Sequence, residues 1–189
     1  MALNAETVKQ SIKQFDDDKK NNASDKAIMK LIEVFPSNSD LVAVLLKVTT
    51  INKLYSTNIL SPFAVAEHIV SHKEVGDKIK EGRLSAVDDI RHIKISGKEK
   101  NFYSFATKYC NWHNFKAFPI YDSYAEKSLR YFNCATSDLR IYNNLKESVD
   151  RFRTQNAITE FTYKEVDKFL WLYGRENLTK MRPDGAGKK

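Results

Sequence analysis

The sequence between residues 118 and 124 reads Phe118-Pro119-Ile120-Tyr121-Asp122-Ser123-Tyr124, and the rest of the chain is interpreted around it. Proline fixes the backbone angle φ at its own position, and Asp122 stands where a helix should begin, because aspartate is a preferred N-cap residue. The helix behind it is predicted over residues 123–132, where Ala125, Leu129 and Phe132 recur at helical spacing. An N-cap role alone would explain Asp122, so the carboxylate can be structural or chemical.

The composition favours a helical protein. Only 6 of the 189 residues are glycine and 4 are proline, which disfavours a turn-rich β architecture. With 42% hydrophobic and 29% charged residues, the chain has the composition of an ordinary globular domain. A net charge of +7 is compatible with a polyanionic partner but does not establish one.

Helical periodicity predicts an all-α fold with roughly eight to ten helices. A helix over residues 5–15 is followed by a solvated connector at 16–22, and Ser24 or Asp25 caps the next helix. The helix over 41–55, capped by Ser39 or Asp40, has the most buried-looking sequence. Ile93 and Ile95 alternate with polar residues, but that segment is predicted to be too short for a sheet. The remaining predicted helices are one opened by Ser61-Pro62, a short one over 74–83, a short apolar face at 84–90, and helices over 102–110, 139–152 and 162–173, the last with a Thr162/Glu165 capping box.

We expect one domain over residues 1–180, with one lobe over approximately 40–115 and the other formed by the remainder. Residues 181–189 are predicted to be a disordered basic tail. The N-terminus is polar, unlike a signal peptide, and the apolar run at 41–48 is far too short to span a bilayer. A cytoplasmic monomer that does not enter a membrane is therefore expected.

Neither a metal nor a cofactor is expected. The His68/His72 pair has zinc-like helical spacing, but no third ligand accompanies it. Cys110 and His113 lack an orienting carboxylate, which argues against a thiol enzyme. The sequence has no Gly-rich nucleotide loop.

Two stretches before Asp122 have the chemistry of nucleic-acid binding. Gly97, flanked by Lys98 and Lys100, forms either a phosphate-gripping turn at a helix start or a plain turn between helices. The span from 102 to 124 is dense in aromatic residues, most of which serve as core. Three of these could line a pocket that stacks a flat ring: Trp112, Tyr121 and Tyr124.

The order of these pieces resembles the helix-hairpin-helix DNA glycosylases, the superfamily of endonuclease III and the oxoguanine glycosylases. Residues 41–52 resemble the family's buried helix and the polar turn that inserts into the minor groove, with Thr49 and Asn52 at the contacting positions and Lys53 beside them. Residues 95–100, followed by 102–110, resemble a degenerate DNA-gripping hairpin with one glycine instead of two. Residues 119–127 are similar to the segment that carries the catalytic aspartate.

The resemblance implies a two-lobed helical protein with a central cleft that binds double-stranded DNA and accepts a flipped base. Asp122 would be the catalytic carboxylate of an N-glycosylase. Lys100 is the nearest candidate for the lysine of a weak lyase activity, and Thr49, Asn52, Lys53, Gly97, Lys98 and Lys108 would contact DNA. With two cysteines, a four-cysteine iron–sulfur cluster is impossible.

Two other interpretations of the sequence stay open. The chain could be a non-catalytic DNA-binding protein on the same scaffold, because its basic charge and the lysines around Gly97 serve either function. It could also be a helical interaction protein with no nucleic-acid role. The excised base, whether oxidised, alkylated or foreign, is not encoded in any one motif.

Overall fold

The computed structural model describes residues 3–178, which form ten helices and one two-stranded sheet. The predicted all-α class is confirmed at this level. The helices are α1 (Ala5–Asp17), α2 (Lys19–Val34), α3 (Leu41–Tyr55), α4 (Pro62–Ser71), α5 (Val75–Lys80), α6 (Ser85–Arg91), α7 (Tyr103–His113), α8 (Ser123–Tyr131), α9 (Tyr142–Gln155) and α10 (Tyr163–Asn177). The predicted tail at 181–189 lies outside the described residues.

The N-terminal helices differ from the prediction. The polar run at 16–22 is helical, and only Asp18 separates α1 from α2. Asp18, not Ser24 or Asp25, caps α2 by accepting a hydrogen bond from the Asn21 N–H. Asp25 instead lies buried in the middle of α2. The predicted connector was wrong because lysine and asparagine are tolerated on exposed helix faces, so polarity alone does not end a helix.

A β-hairpin replaces the predicted glycine turn at a helix start. Strands β1 (His92–Ile95) and β2 (Lys98–Asn101) pair antiparallel, with Ile95 opposite Lys98. Ser96 and Gly97 form the two-residue turn, both with positive φ (49° and 79°), as the twist of a tight hairpin requires. Gly97 therefore does not open a helix, and the prediction that this segment is too short for a sheet was wrong.

Helix α7 forms the centre of the molecule, and all of its residues except Ser104 and His113 are buried. The prediction that α3 is the most buried helix was therefore wrong. Helix α7 contacts α2, α3, α5, α6 and α10, and α10 also packs against α1 and α8. The predicted division into two lobes stays a prediction.

Three predicted helix starts are confirmed by their caps. Asp40 accepts from the Ala43 N–H at the start of α3, and Asp122 accepts from the Tyr124 N–H at the start of α8. Thr162 and Glu165 form the predicted capping box of α10. Within residues 3–178, no helix is long and apolar enough to cross a membrane.

Candidate functional site

The backbone before α8 is held rigidly by side chains from other helices. Asn111 donates to the Phe118 carbonyl at 2.6 Å, and Tyr142 donates to the Pro119 carbonyl at 3.0 Å. The Tyr121 N–H donates to Thr107 Oγ1 at 3.0 Å. These bonds satisfy the polar groups of a buried loop that has no regular partner. They also fix the position of the carboxylate that follows.

Asp122 lies on the wall of a cavity of about 520 Å³, which we call the Asp122 cavity. Its Oδ1 accepts from the Tyr124 N–H at 2.8 Å, and its Oδ2 lies 3.8 Å from Lys108 Nζ. The Asp122 side chain keeps 23% of its surface exposed. The carboxylate is thus fixed through one oxygen while the group as a whole stays accessible from the cavity.

Lys108 lies in the same wall and is almost wholly buried. Its ammonium donates to Ser104 Oγ at 2.7 Å and to the Tyr121 carbonyl at 3.0 Å. Burial lowers the pKa of Lys108, and the nearby Asp122 opposes this effect. The predicted role of Lys108 as a DNA contact does not fit, because only 3% of its side chain is exposed.

A charged cluster from distant parts of the chain completes the cavity. Lys164 Nζ donates to Tyr55 Oη at 2.6 Å and lies 3.6 Å from Asp25 Oδ1. It also sits 4.4 Å from the centre of the Trp112 ring. Burial would lower the pKa of Lys164, but Tyr55 and Asp25 raise it above its ordinary value, so this side chain stays a cation.

Aromatic side chains line the cavity mouth. Tyr124 and Trp171 meet edge to face at 6.1 Å between ring centres, and Phe15 meets Trp171 at 5.7 Å in the same way. All three lie on the cavity wall, as does Tyr55. Burial raises the pKa of Tyr55 to about 12, so its phenol is neutral. The cavity therefore offers flat apolar surfaces next to charged groups, which suits a flat polar ring.

The structure brings together only three of the predicted site residues, namely Asp122, Lys108 and Tyr124. Trp112 is buried beneath Lys164, and Tyr121 turns away to donate to Glu126 at 2.6 Å. Neither of these two aromatic residues lines the cavity. Lys100, Lys98 and Gly97 lie exposed on the hairpin, so the lyase role predicted for Lys100 does not fit its position.

The predicted wedge turn at Thr49–Asn52 is part of helix α3. Asn52 donates to the Ile59 carbonyl and accepts from the Ile59 N–H and from Thr57 Oγ1. It therefore shapes the loop after α3, and both acceptor sites of its side-chain oxygen are occupied within that loop. Thr49 and Lys53 are exposed on α3, and the loop that follows exposes Leu60 at 97%.

Sequence reasoning missed most of the cavity wall, including Asp25, Tyr55, Lys164 and Asp167. One signal could have found two of them. Lys164 and Asp167 fall among Tyr163, Val166 and Leu170 on the buried side of α10. Charged residues are rarely buried without a specific partner, so charges within an apolar stripe indicate a built site.

A second hollow, of about 610 Å³, lies between residues 36–39, α5 and the end of α7. Beside it, the buried Lys47 donates to the Ser37 carbonyl at 2.6 Å and to Asn38 Oδ1 at 2.7 Å. Burial lowers the pKa of Lys47 to about 8 and that of His113 to about 3. This network ties a loop to the core, and its groups are already bonded to one another.

The described residues contain no group of three or more His, Cys, Asp or Glu side chains that could hold a metal ion. His68 Nε2 contacts the Asp89 carbonyl at 2.7 Å, and His72 Nδ1 contacts the His68 carbonyl at 2.9 Å. The two histidines therefore engage the backbone.

The fold and the site define a mostly helical protein with a cavity of charged and aromatic side chains, built from α1, α2, α3, α7, α8 and α10. Residues 7–117 match the family HI_0787_N, described as an N-terminal domain, and the chain belongs to this family. It is 43% identical over 138 residues to a Haemophilus influenzae protein (strain ATCC 51907 / DSM 11121 / KW20 / Rd) described as an uncharacterized protein. That match covers 69% of this chain and 66%, just under two thirds, of the relative. No solved structure matches the chain.

Proposed function

We propose that this protein is a DNA glycosylase that accepts a flipped base in the Asp122 cavity and hydrolyses its N-glycosidic bond. One observation carries the proposal: Asp122 caps α8 and, instead of being buried against its own helix, opens onto a cavity walled by aromatic rings. A carboxylate that served only as a cap would need no cavity.

The chemistry follows from the charge that develops during bond cleavage. As the N-glycosidic bond breaks, its electron pair leaves with the base and the sugar becomes an oxocarbenium-like cation. Asp122 stabilises that cation, water adds to C1′, and the proton that the water loses neutralises the departing base. The α8 N-terminus and the Lys108 ammonium, 3.8 Å away, place positive charge beside the carboxylate. A fixed anion in a site that partly excludes water stabilises a cationic transition state strongly.

Hydrolysis without a lyase step suits the lysines better than Schiff-base chemistry does. Lys100 lies on β2 with an exposed side chain. Lys108 is near Asp122, but its ammonium is held by Ser104 and the Tyr121 carbonyl. We therefore assign Lys108 the role of positioning Asp122. The weak lyase activity that the resemblance implies is not part of the proposal.

The β1–β2 hairpin supplies a basic surface for the phosphate backbone. Lys94, Lys98 and Lys100 are exposed there, on either side of the Ser96–Gly97 turn. The hairpin leads into α7 at Tyr103, and Lys108 lies five residues further, about 8 Å along the helix axis. A duplex gripped by the hairpin would therefore lie near the Asp122 cavity.

Removing the hairpin lysines should weaken DNA binding in a salt-dependent way. For Lys98→Gln with Lys100→Gln, we expect the slope of log K against log salt to fall by about 1 per lysine, because each phosphate contact releases condensed counterions. Fluorescence anisotropy with a labelled duplex at several salt concentrations measures the slope. Lys30→Gln is the control, because Lys30 is exposed on α2 and pairs with Glu33. An unchanged slope in the double variant would remove the hairpin from the DNA interface.

The loop after α3 is the better candidate for the wedge that the resemblance assigns to Thr49–Asn52. Leu60 is 97% exposed in this loop, and Ser56 at its start lines the cavity. An exposed leucine at such a place can fill the gap left by a flipped base, as apolar wedges do in bent DNA.

Leu60→Ala should lower base release about tenfold or more, because the flipped state loses its apolar plug. The free energy of unfolding should stay within about 0.5 kcal/mol, since the side chain is exposed. Single-turnover base release and chemical denaturation measure the two effects. Val42→Ala, a 66% exposed position on α3, is the control and should leave both unchanged. Equal base release by the Leu60 variant and wild type would exclude the wedge role.

The direct test of the proposed function is release of free base from duplexes that carry oxidised, alkylated or otherwise modified bases. Mass spectrometry of the small-molecule fraction identifies the base. The alternative, a DNA-binding protein without catalysis, predicts binding with a steep salt slope and no released base. A protein without a nucleic-acid role predicts no duplex binding at low salt.

A further inference from the structure

Asp167 lies in the middle of α10 and is buried in the wall of the Asp122 cavity. Among the described residues, its Oδ1 has no hydrogen-bond partner. Buried polar atoms are almost always bonded, so each exception calls for an explanation. Asp167 lines the cavity and its Oδ1 lacks a partner, so the carboxyl group keeps hydrogen-bonding capacity for an occupant.

Four charged groups surround Asp167 from different elements: Asp25 on α2, Lys108 on α7, Asp122 before α8 and Lys164 on α10. None of these four groups forms a hydrogen bond with Asp167 Oδ1. Burial raises the pKa of Asp167 to about 7, and the lysines only partly offset this. The group is therefore half protonated near neutral pH, whereas an ordinary aspartate is ionised.

We propose that Asp167 reads the hydrogen-bonding edge of the base held in the Asp122 cavity, and that it does so as a neutral carboxylic acid. A protonated carboxyl has one O–H donor beside one carbonyl acceptor. It can pair with a heterocycle that presents an acceptor next to an N–H, as a lactam or an amidine edge does. This inference rests on the proposed function, and it names the ligand class and the residue that selects it.

Asp167 should also destabilise the protein when the cavity is empty. The folded state keeps a proton on Asp167 up to about pH 7, whereas the unfolded chain loses it near the ordinary value of 3.8. The free energy of unfolding therefore falls as pH rises from about 4 to 7. Above pH 7, Asp167 lowers it no further. Asp167→Asn should raise the melting temperature by about 3 °C or more at pH 8 and change it little at pH 4. Equal shifts at both pH values would contradict a raised pKa in the folded protein.

Binding of small bases tests the recognition itself. The probes are 9-methyladenine, 9-methylhypoxanthine and 1-methyluracil, with 9-methylpurine, 1,9-dimethylhypoxanthine and 1,3-dimethyluracil as matched analogues that lack the donor. Ligand-observed NMR titration gives Kd for each at pH 6 and pH 8.5. We expect at least one probe to bind about tenfold more tightly than its analogue, and about tenfold more tightly at pH 6 than at pH 8.5.

The variants separate recognition from structure. Asp167→Asn keeps a donor beside an acceptor, so its binding should lose the pH dependence while retaining selectivity over the analogue. Asp167→Leu should lose that selectivity. Asp88→Asn, an exposed acid that pairs with Arg91, is the control and should behave as wild type. No binding by any probe, pH-independent binding by wild type, or unchanged selectivity in Asp167→Leu would each overturn the inference.

The two proposals fail differently. Probe binding that depends on Asp167, without base release from any duplex, would refute the glycosylase proposal and leave the inference standing. Base release whose KM and pH profile are the same in wild type, Asp167→Asn and Asp167→Leu would refute the inference and leave the glycosylase standing.

Discussion

Asp122→Asn is expected to lower the rate of base release at least about 100-fold, because the neutral amide cannot stabilise the cationic sugar. Asparagine caps helices as well as aspartate does, so α8 should still begin at Ser123. The free energy of unfolding should therefore change little. Single-turnover base release and chemical denaturation measure the two effects independently.

The matched control is Asp40→Asn. Asp40 caps α3 in the same way, by accepting from the Ala43 N–H, but it lies outside the Asp122 cavity. This variant should keep both stability and base release. If Asp122→Asn released base at the wild-type rate, Asp122 would be a cap and nothing more.

Gly174→Ala is expected to destabilise the protein by about 2 kcal/mol or more, because overpacking at a close contact forces the backbone to move. A Cβ at residue 174 would collide with the backbone carbonyl of Tyr124 and would lie 2.9 Å from Ser128 Oγ. Helices α8 and α10 therefore lie in close contact at Tyr124, two residues after the Asp122 cap. Base release should fall together with stability, since α8 would be displaced. Urea denaturation gives the free energy of unfolding.

Gly76→Ala, in α5, is the control for a glycine replaced within a helix. Its added Cβ would meet Asn38 Cβ at 3.6 Å, an ordinary contact. Alanine at this position should stabilise the protein by about 0.5–1 kcal/mol, because it restricts the unfolded chain. Similar effects from both substitutions would mean that the α8–α10 contact is not the reason for Gly174.

Local signals in the sequence predicted most helix starts correctly. Asp40, Asp122 and the Thr162/Glu165 pair each combine a capping side chain with an apolar stripe behind it, and each caps its helix. At the start of α2 that combination was lacking, and the prediction was wrong. The run at 16–22 is polar throughout, so nothing marked the break at Asp18.

The hairpin was missed because its strands are only four residues long and β2 is polar and exposed throughout. On β1, Ile93 is buried and Ile95 is partly buried against the core, so alternation extends over only these two apolar positions. The pairing is imposed by the Ser96–Gly97 turn and by the α6 and α7 helices on either side. Such tertiary constraints do not appear in a short window of sequence.

Only the part of the site that belongs to one local motif, around Asp122, could be predicted from the sequence. Asp122 could be found because a proline, a cap and a helix stand together. Asp25, Tyr55 and Asp167 come from three helices that are far apart in the chain, and no spacing rule connects them. Trp112 and Tyr121 were misassigned because sequence proximity to Asp122 does not decide which way a ring faces.

Incubation of the wild-type protein with a panel of base-modified duplexes, followed by mass spectrometry of the released small molecules, tests the central claim most directly. The account predicts that at least one duplex loses its modified base as a free heterocycle, and that Asp122→Asn reduces this release at least about 100-fold. If no duplex loses a base although the protein binds DNA with a steep salt slope, the glycosylase assignment is contradicted.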